Sequence, residues 1–227
     1  MPTVTLAESS PGVDPTIAST SPVVVAVAHN KGGVGKTTST LIIARHLSQR
    51  LSVELVDMDE TRYLREAVYA LSRRRDASVS PRLWLREAEP RESSCVLVDS
   101  PPARGPHARA ALKMADYVLI PAPPEPMGVL AMQLMFDVVD EVRADRQEGN
   151  PFLQILGVVP TMYDRRWPEH TGWLRQMEDA CGERGVRIFP PIPRKQSIML
   201  MSMAGQDYAP VADAIAEVVR RQSVRAS

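Results

Sequence analysis

Apolar and polar positions change rhythm several times along this chain, and each change predicts an element. Val23-Val24-Val25-Ala26-Val27-Ala28 is an unbroken apolar, largely β-branched run, the pattern of a strand buried on both faces. A glycine-dense loop follows, then helical spacing over 37–50. Strand patterns recur at Val53–Asp57, Cys95–Asp99, 117–120, 153–159 and 186–189. Apolar residues three and four apart predict helices over 61–75, 105–114, 127–146, 169–182, 195–204 and 209–222. Residues 76–92 keep no clear period, and a short helix around Trp84 is the expectation there.

Strands alternating with helices predict an α/β fold: a single doubly wound, mainly parallel sheet with helices on both faces. Such sheets bind ligands outside the carboxyl ends of their strands. Prolines gather at those predicted ends, at Pro101-Pro102, from Pro121 to Pro126, at Pro160, and at Pro190, Pro191 and Pro193. A missing N–H costs a ladder least there. The 227 residues suit one such domain, expected over 23–227. Residues 1–22 are rich in Pro, Ser and Thr and offer little apolar surface to offset ordering entropy, so a disordered N-terminal arm is expected.

Composition then removes whole classes of function. Apolar residues make up 44% of the chain, enough for a sizeable core. No apolar stretch is long enough to span a bilayer. The N-terminus has no basic n-region followed by an apolar h-region, so it is not read as a secretory signal. Cys95 and Cys181 form neither a disulfide framework nor a metal pattern, which suits a cytoplasmic setting. The net charge is zero, but residues 61–91 carry +4, 92–183 carry −6 and 184–227 carry +4. Two basic clusters result: Arg73-Arg74-Arg75, and Arg194, Lys195, Arg220, Arg221 with Arg225. Such clusters suit sequence-independent contact with phosphates, or simply solvated helix ends that favour the macrodipole.

The densest chemistry is the loop His29-Asn30-Lys31-Gly32-Gly33-Val34-Gly35-Lys36-Thr37-Thr38. Glycines let several backbone N–H groups converge on one anion, and the following helix presents its positive end to it. Lys36 suits the β- and γ-phosphates of a nucleotide, and the Thr37 hydroxyl suits Mg²⁺. A standard phosphate loop would want glycine at Asn30; here a second lysine, Lys31, precedes Lys36 by five residues.

This loop resembles the deviant Walker A motif of the ParA/Soj/MinD family of P-loop ATPases. Leu55-Val56-Asp57-Met58-Asp59 is similar to the family's D-x-D segment, and Val96 to Pro102 to its Walker B strand. Thr161 to Arg166 and Ile192-Pro193-Arg194 resemble late motifs of the ParA/Soj branch. The resemblance implies ATP and Mg²⁺ as cofactors. ATP contacts would come from Lys31, Gly32, Gly33, Val34, Gly35, Lys36, Thr37, Thr38, Thr161 and Pro193. It implies Thr37, Asp57 and Asp99 around the metal, and Asp59 as the residue orienting the attacking water. Lys31 would reach the phosphates of a second copy in an ATP-dependent homodimer, alongside Lys36 in catalysis.

The same resemblance implies a partition ATPase on the nucleoid. It would bind DNA non-specifically through Arg194, Lys195, Arg220 and Arg221, and a centromere-binding ParB-like partner would stimulate its ATP hydrolysis. Three other readings share the motif. A ParA-like ATPase could position a protein cargo. A MinD-like ATPase would need a stronger amphipathic C-terminal anchor than Val211, Ile215, Val218 and Val219 supply, so no stable membrane anchor is expected. A dethiobiotin-synthetase-type ligase would act on a small carboxylate. Two departures stand out. Glu60-Thr61 replace the Pro-Gln that commonly follows D-x-D, and only 41 residues lie between Asp57 and Asp99, which suggests a lost strand or a trimmed dimer surface.

Overall fold

The computed structural model of the chain describes residues 21–73, 80, 82–86, 92–102, 105–195 and 206–226. The segments 1–20 and 196–205, where the arm and one helix are expected, lie outside the described residues, as do Arg74 and Arg75. Six strands form one wholly parallel sheet: β1 (Val23–Val27), β2 (Val53–Asp57), β3 (Leu83–Leu85), β4 (Cys95–Asp99), β5 (Tyr117–Ala122) and β6 (Gln154–Pro160). Their order is β3-β2-β4-β1-β5-β6. The described helices are α1 (Lys36–Leu47), α2 (Tyr63–Arg73), α3 (Pro106–Met114), α4 (Pro126–Ala144), α5 (Pro168–Glu183) and α6 (Ala209–Ala226).

The period of two along β1 sorts the core into two layers. Val23, Val25 and Val27 pack with Leu41 and Ile43 of α1, Leu64 of α2 and Val211 and Ile215 of α6. Ala26 faces the other way, with Ala111 and Leu112 of α3, Met132 and Phe136 of α4 and Met177 of α5. A strand buried on both faces must be apolar at every position, which is why β1 reads as a continuous run.

Three expectations need correction. The chain around Trp84 is a strand, not a helix: Leu83 and Leu85 are buried and pair in parallel with Val53 and Leu55 of β2. The interval between Asp57 and Asp99 therefore still contains a strand. The segment 186–189 pairs with β6 by a single bridge, Val158 to Ile188, because Pro190, Pro191 and Pro193 remove the donors a longer ladder would need.

The winding places the site. The connection after β1 crosses to the α1 layer, whereas those after its neighbours β4 and β5 cross to the α3–α4 layer. The carboxyl end of β1 therefore opens into a crevice flanked by the ends of β4 and β5.

Candidate functional site

The loop 28–35 fills that crevice. Gly33 and Gly35 have φ of 73° and 92°, left-handed values that a side chain would resist. Gly35 caps α1 in this conformation, so the first N–H groups of the helix face the loop without a side-chain cap. Thr161, at the end of β6, is buried and donates from its hydroxyl to the Val34 carbonyl at 2.9 Å. In this structure Thr161 acts as a brace for the glycine loop. Pro193 lies beside it, bridged to Tyr163.

The two loop lysines are held differently. Lys36 is buried, with Nζ 3.2 Å from the Lys31 carbonyl oxygen. Burial pulls its pKa below the ordinary lysine value, while Asp99 and Asp59 pull it back up. Lys31 is exposed, and its Nζ meets Glu125 Oε1 at 2.7 Å in front of α4. The Lys31 N–H donates to Nδ1 of the buried His29 at 3.0 Å. Burial and the nearby Lys36 push His29 down to about 4, so the imidazole is neutral.

Across the crevice, Asp99 ends β4 with its carboxylate enclosed. Burial raises its pKa to about 7; the adjacent Thr37 hydroxyl opposes this without closing a well-formed hydrogen bond. Thr37 and Asp99 are thus side by side, as a shared Mg²⁺ requires. Asp57 is the cross-strand register partner of Asp99, but both its oxygens are engaged: Oδ1 accepts from the Asp59 N–H at 3.2 Å and Oδ2 from the Arg65 N–H in the first turn of α2 at 3.0 Å. Asp59 accepts from the Thr61 N–H and hydroxyl at 3.0 and 2.8 Å. Asp57 thereby ties the start of α2 to the segment bearing Asp59.

The residues expected on DNA do not gather in one place. Arg194 N–H donates to the Tyr163 carbonyl at 2.8 Å, at the phosphate-loop end of the sheet. Next to it Lys195 is paired with Asp207, with both contacts at 3.0 Å. Arg220 and Arg221 share Glu217, at 2.8 and 2.9 Å. They sit near Gln222, which holds the Ser21 carbonyl just before β1, at the opposite end of the strands. Sequence reasoning missed Glu125, His29 and the buried Ser39–Tyr208 hydrogen bond that ties α1 to the approach to α6. Glu125 is the only acid in its proline-rich strand end, the one signal that marked it. Among the described residues, no cysteine or histidine belongs to a group that could hold a metal. Cys95 and Cys181 are buried and free, and burial pushes their thiols up to about 12 and about 11.

A pattern emerges from the buried polar atoms. Among the described residues, His29, Asn30 and Asp99 carry buried side-chain N and O atoms without a hydrogen-bond partner. Native interiors rarely leave such atoms unpaired. Here His29 and Asn30 lie in the glycine loop and Asp99 lies across from it, so the donor and acceptor set fits an anionic ligand with a cation.

Comparison with known proteins agrees with this geometry. Residues 25–207 match the family model described as the CobQ/CobB/MinD/ParA nucleotide binding domain. The maintenance of carboxysome distribution protein A of Gloeobacter kilaueensis is 36% identical over 119 residues, which is 50% of this chain and 55% of that protein, so the match spans about half of this relative. The chromosome-partitioning ATPase Soj of Thermus thermophilus is 30% identical over 178 residues, covering 63% of this chain and 70% of that one. Among solved structures, a putative plasmid partition protein of Borrelia burgdorferi bound to AMPPNP has a TM-score of 0.67 at 18% identity, covering 89% of this chain and 100% of that chain. The cobyrinic acid a,c-diamide synthase of Mycobacterium smegmatis with ADP and magnesium also has a TM-score of 0.67, at 24% identity, covering 86% and 94%. At these identities the structural likeness shows the fold alone. No described helix is long and apolar enough to cross a membrane.

Proposed function

This chain belongs to the CobQ/CobB/MinD/ParA nucleotide-binding family, and from that premise we propose that it is a ParA-type partition ATPase whose switch is the glycine loop. The observation that carries the reading is the set of unpaired buried polar atoms on His29, Asn30 and Asp99, in and beside the glycine loop. Lys36 exchanges the Lys31 carbonyl for phosphate oxygens of ATP, which suits a desolvated cation in want of an anion. Thr37 and Asp99 hold Mg²⁺ between them, with Asp57 keeping the Asp59 segment in place. When bound, ATP and Mg²⁺ supply the reactive phosphoryl group and its charge neutralisation. Asp59 orients the attacking water. Lys31 leaves Glu125 and reaches the phosphates of a second copy, so hydrolysis is coupled to a homodimer. That dimer binds DNA without sequence preference through the phosphate-loop end of the sheet, where Arg194 and Lys195 stand, whereas Arg220 and Arg221, held by Glu217 at the other end of the strands, lie outside this contact, and a ParB-like partner stimulates turnover.

A second reading, transport of a protein assembly, is favoured by the relatives named for carboxysome distribution. Light scattering and anisotropy on random duplexes, with no nucleotide, ADP or ATP, separate these readings. The partition reading expects dimers and salt-sensitive duplex binding with ATP only. Lys31→Ala should keep nucleotide affinity and lose both. Dimerisation without DNA binding at low salt would move the assignment to a protein cargo; equal behaviour in ADP and ATP would remove the switch.

A further inference from the structure

The segment 161–167 joins the phosphate-loop brace to a surface of which the sequence reading assigned only Arg194 to DNA. At its start Thr161 grips the Val34 carbonyl. The Met162 methyl group lies 3.9 Å from where a Cβ on Gly35 would stand, and Met162 itself holds φ of 56°, rare for a residue with a side chain. The rest is bonded almost atom by atom. Tyr163 N–H donates to the Ile192 carbonyl, and Asp164 N–H donates to Nδ1 of the buried His170. Trp167 N–H returns to the Asp164 carbonyl. Asp164 takes both Arg166 guanidinium contacts, at 2.9 and 2.6 Å.

What this stiff loop displays outward is unlike the rest of its surroundings. Trp167 is 52% exposed, its ring held edge-on against His170 at 5.2 Å between centroids. Arg165 is exposed two residues before it, and Arg194, also exposed, is tied to the loop by its N–H, which donates to the Tyr163 carbonyl. Neither guanidinium has an ion-pair or hydrogen-bond partner among the described residues, in contrast with Arg166, Lys195, Arg220 and Arg221. An exposed indole on a rigid loop, with two exposed guanidiniums borne by the same loop and by the segment bonded to it, suits phosphate contact and base stacking.

We propose that Trp167, Arg165 and Arg194 form the nucleic-acid contact of this protein, that it engages unpaired bases as well as phosphates, and that Thr161 links it to the state of the glycine loop. This deepens the DNA-binding reading above and rests on it. Arg165 and Arg194 meet phosphates of any nucleic acid, whereas Trp167 gains a partner only where a base is free to stack. Arg220 and Arg221, at the far end of the strands and shared with Glu217, are left outside the contact.

The test uses the full chain with ATP and Mg²⁺, a labelled oligothymidylate, a random duplex of equal length, and polyglutamate as a competitor of the other macromolecular class. Trp167→Ala should weaken oligothymidylate binding by about fivefold to a hundredfold and duplex binding by no more than about twofold, with Trp167→Phe restoring most of the loss. Arg165→Gln and Arg194→Gln should each lower the slope of log affinity against log salt by about 0.7 on single strands; Arg220→Gln and Arg221→Gln should leave it unchanged. Equal melting temperatures across the variants exclude misfolding as the cause. Should the native chain bind duplex with ATP while the Trp167 and Arg165 variants match it on both probes, this inference falls and the partition reading stands. If the native chain binds neither nucleic acid in any nucleotide state, or polyglutamate alone, both fall.

Discussion

The two ends of the glycine loop place a lysine each, five residues apart, in opposite electrostatic situations. Lys36 is buried, its ammonium desolvated and resting on a neutral carbonyl. Lys31 stands in solvent, with a carboxylate partner as exposed as itself. A buried cation without a full counter-charge is held at a cost that an arriving anion relieves, whereas an exposed ion pair is weak and easily exchanged. The first arrangement makes a binding group, the second a movable one. That division matches a loop that must first hold a nucleotide and only then report it to another molecule.

The sharpest way to break the contrast is at Lys36. Lys36→Ala should cost nucleotide affinity about 2–5 kcal/mol, more than roughly thirtyfold, since a buried charged contact is lost; titration calorimetry with ATP and Mg²⁺ measures it. An unchanged affinity would mean the loop does not hold phosphates.

Asp99 sharpens the buried side through pH. Without ligand its pKa is raised from 3.8 to about 7 by burial. Between those values the unfolded chain has released this proton and the folded one keeps it, so stability from this group falls as pH rises through the window and stays low above it. Asp99→Asn should raise the melting temperature of the nucleotide-free protein by several degrees above pH 7, and the gain should vanish toward pH 4. A gain independent of pH would mean that the charge of Asp99 is not what destabilises the nucleotide-free protein.

The exposed side should respond least. Glu125→Gln removes a pair worth about 0–1 kcal/mol. It should leave the melting temperature nearly unchanged while letting the ATP-driven dimer form at up to about fivefold lower protein concentration. That advantage should shrink with added salt. A loss of ATP-driven dimerisation would show that Glu125 helps to present Lys31 and does not merely occupy it.

How much of this was legible in the sequence follows from how local each signal is. β1 and the loop after it are written in thirteen consecutive residues, 23–35, as apolar continuity and then glycines, and both stand where expected. β3 was not legible, because three residues carry no period and Leu83 and Leu85 are buried only once β2 lies beside them. The partner of Lys31 lies 94 residues away and that of Ser39 lies 169 away. Composition sees neither. The basic residues of the C-terminal quarter looked like one patch because they are close in the chain. α6 runs from the phosphate-loop end of the sheet to the other end, and so carries Arg220 and Arg221 away from Arg194.

The strand order also governs how the molecule is made. Of the described strands β1 emerges first from the ribosome, yet its sheet neighbours are β4 and β5. Asp99, at the end of β4, follows Val27 by 72 residues. At about 5–20 residues per second, roughly four to fourteen seconds pass before β1 can find its first partner strand. Throughout that interval the most apolar segment of the core waits unpaired, long enough for a chaperone to hold it and for crowding among nascent chains to matter. The central position that lets β1 present the glycine loop between two neighbours is thus also what makes it the last-satisfied strand of the early chain.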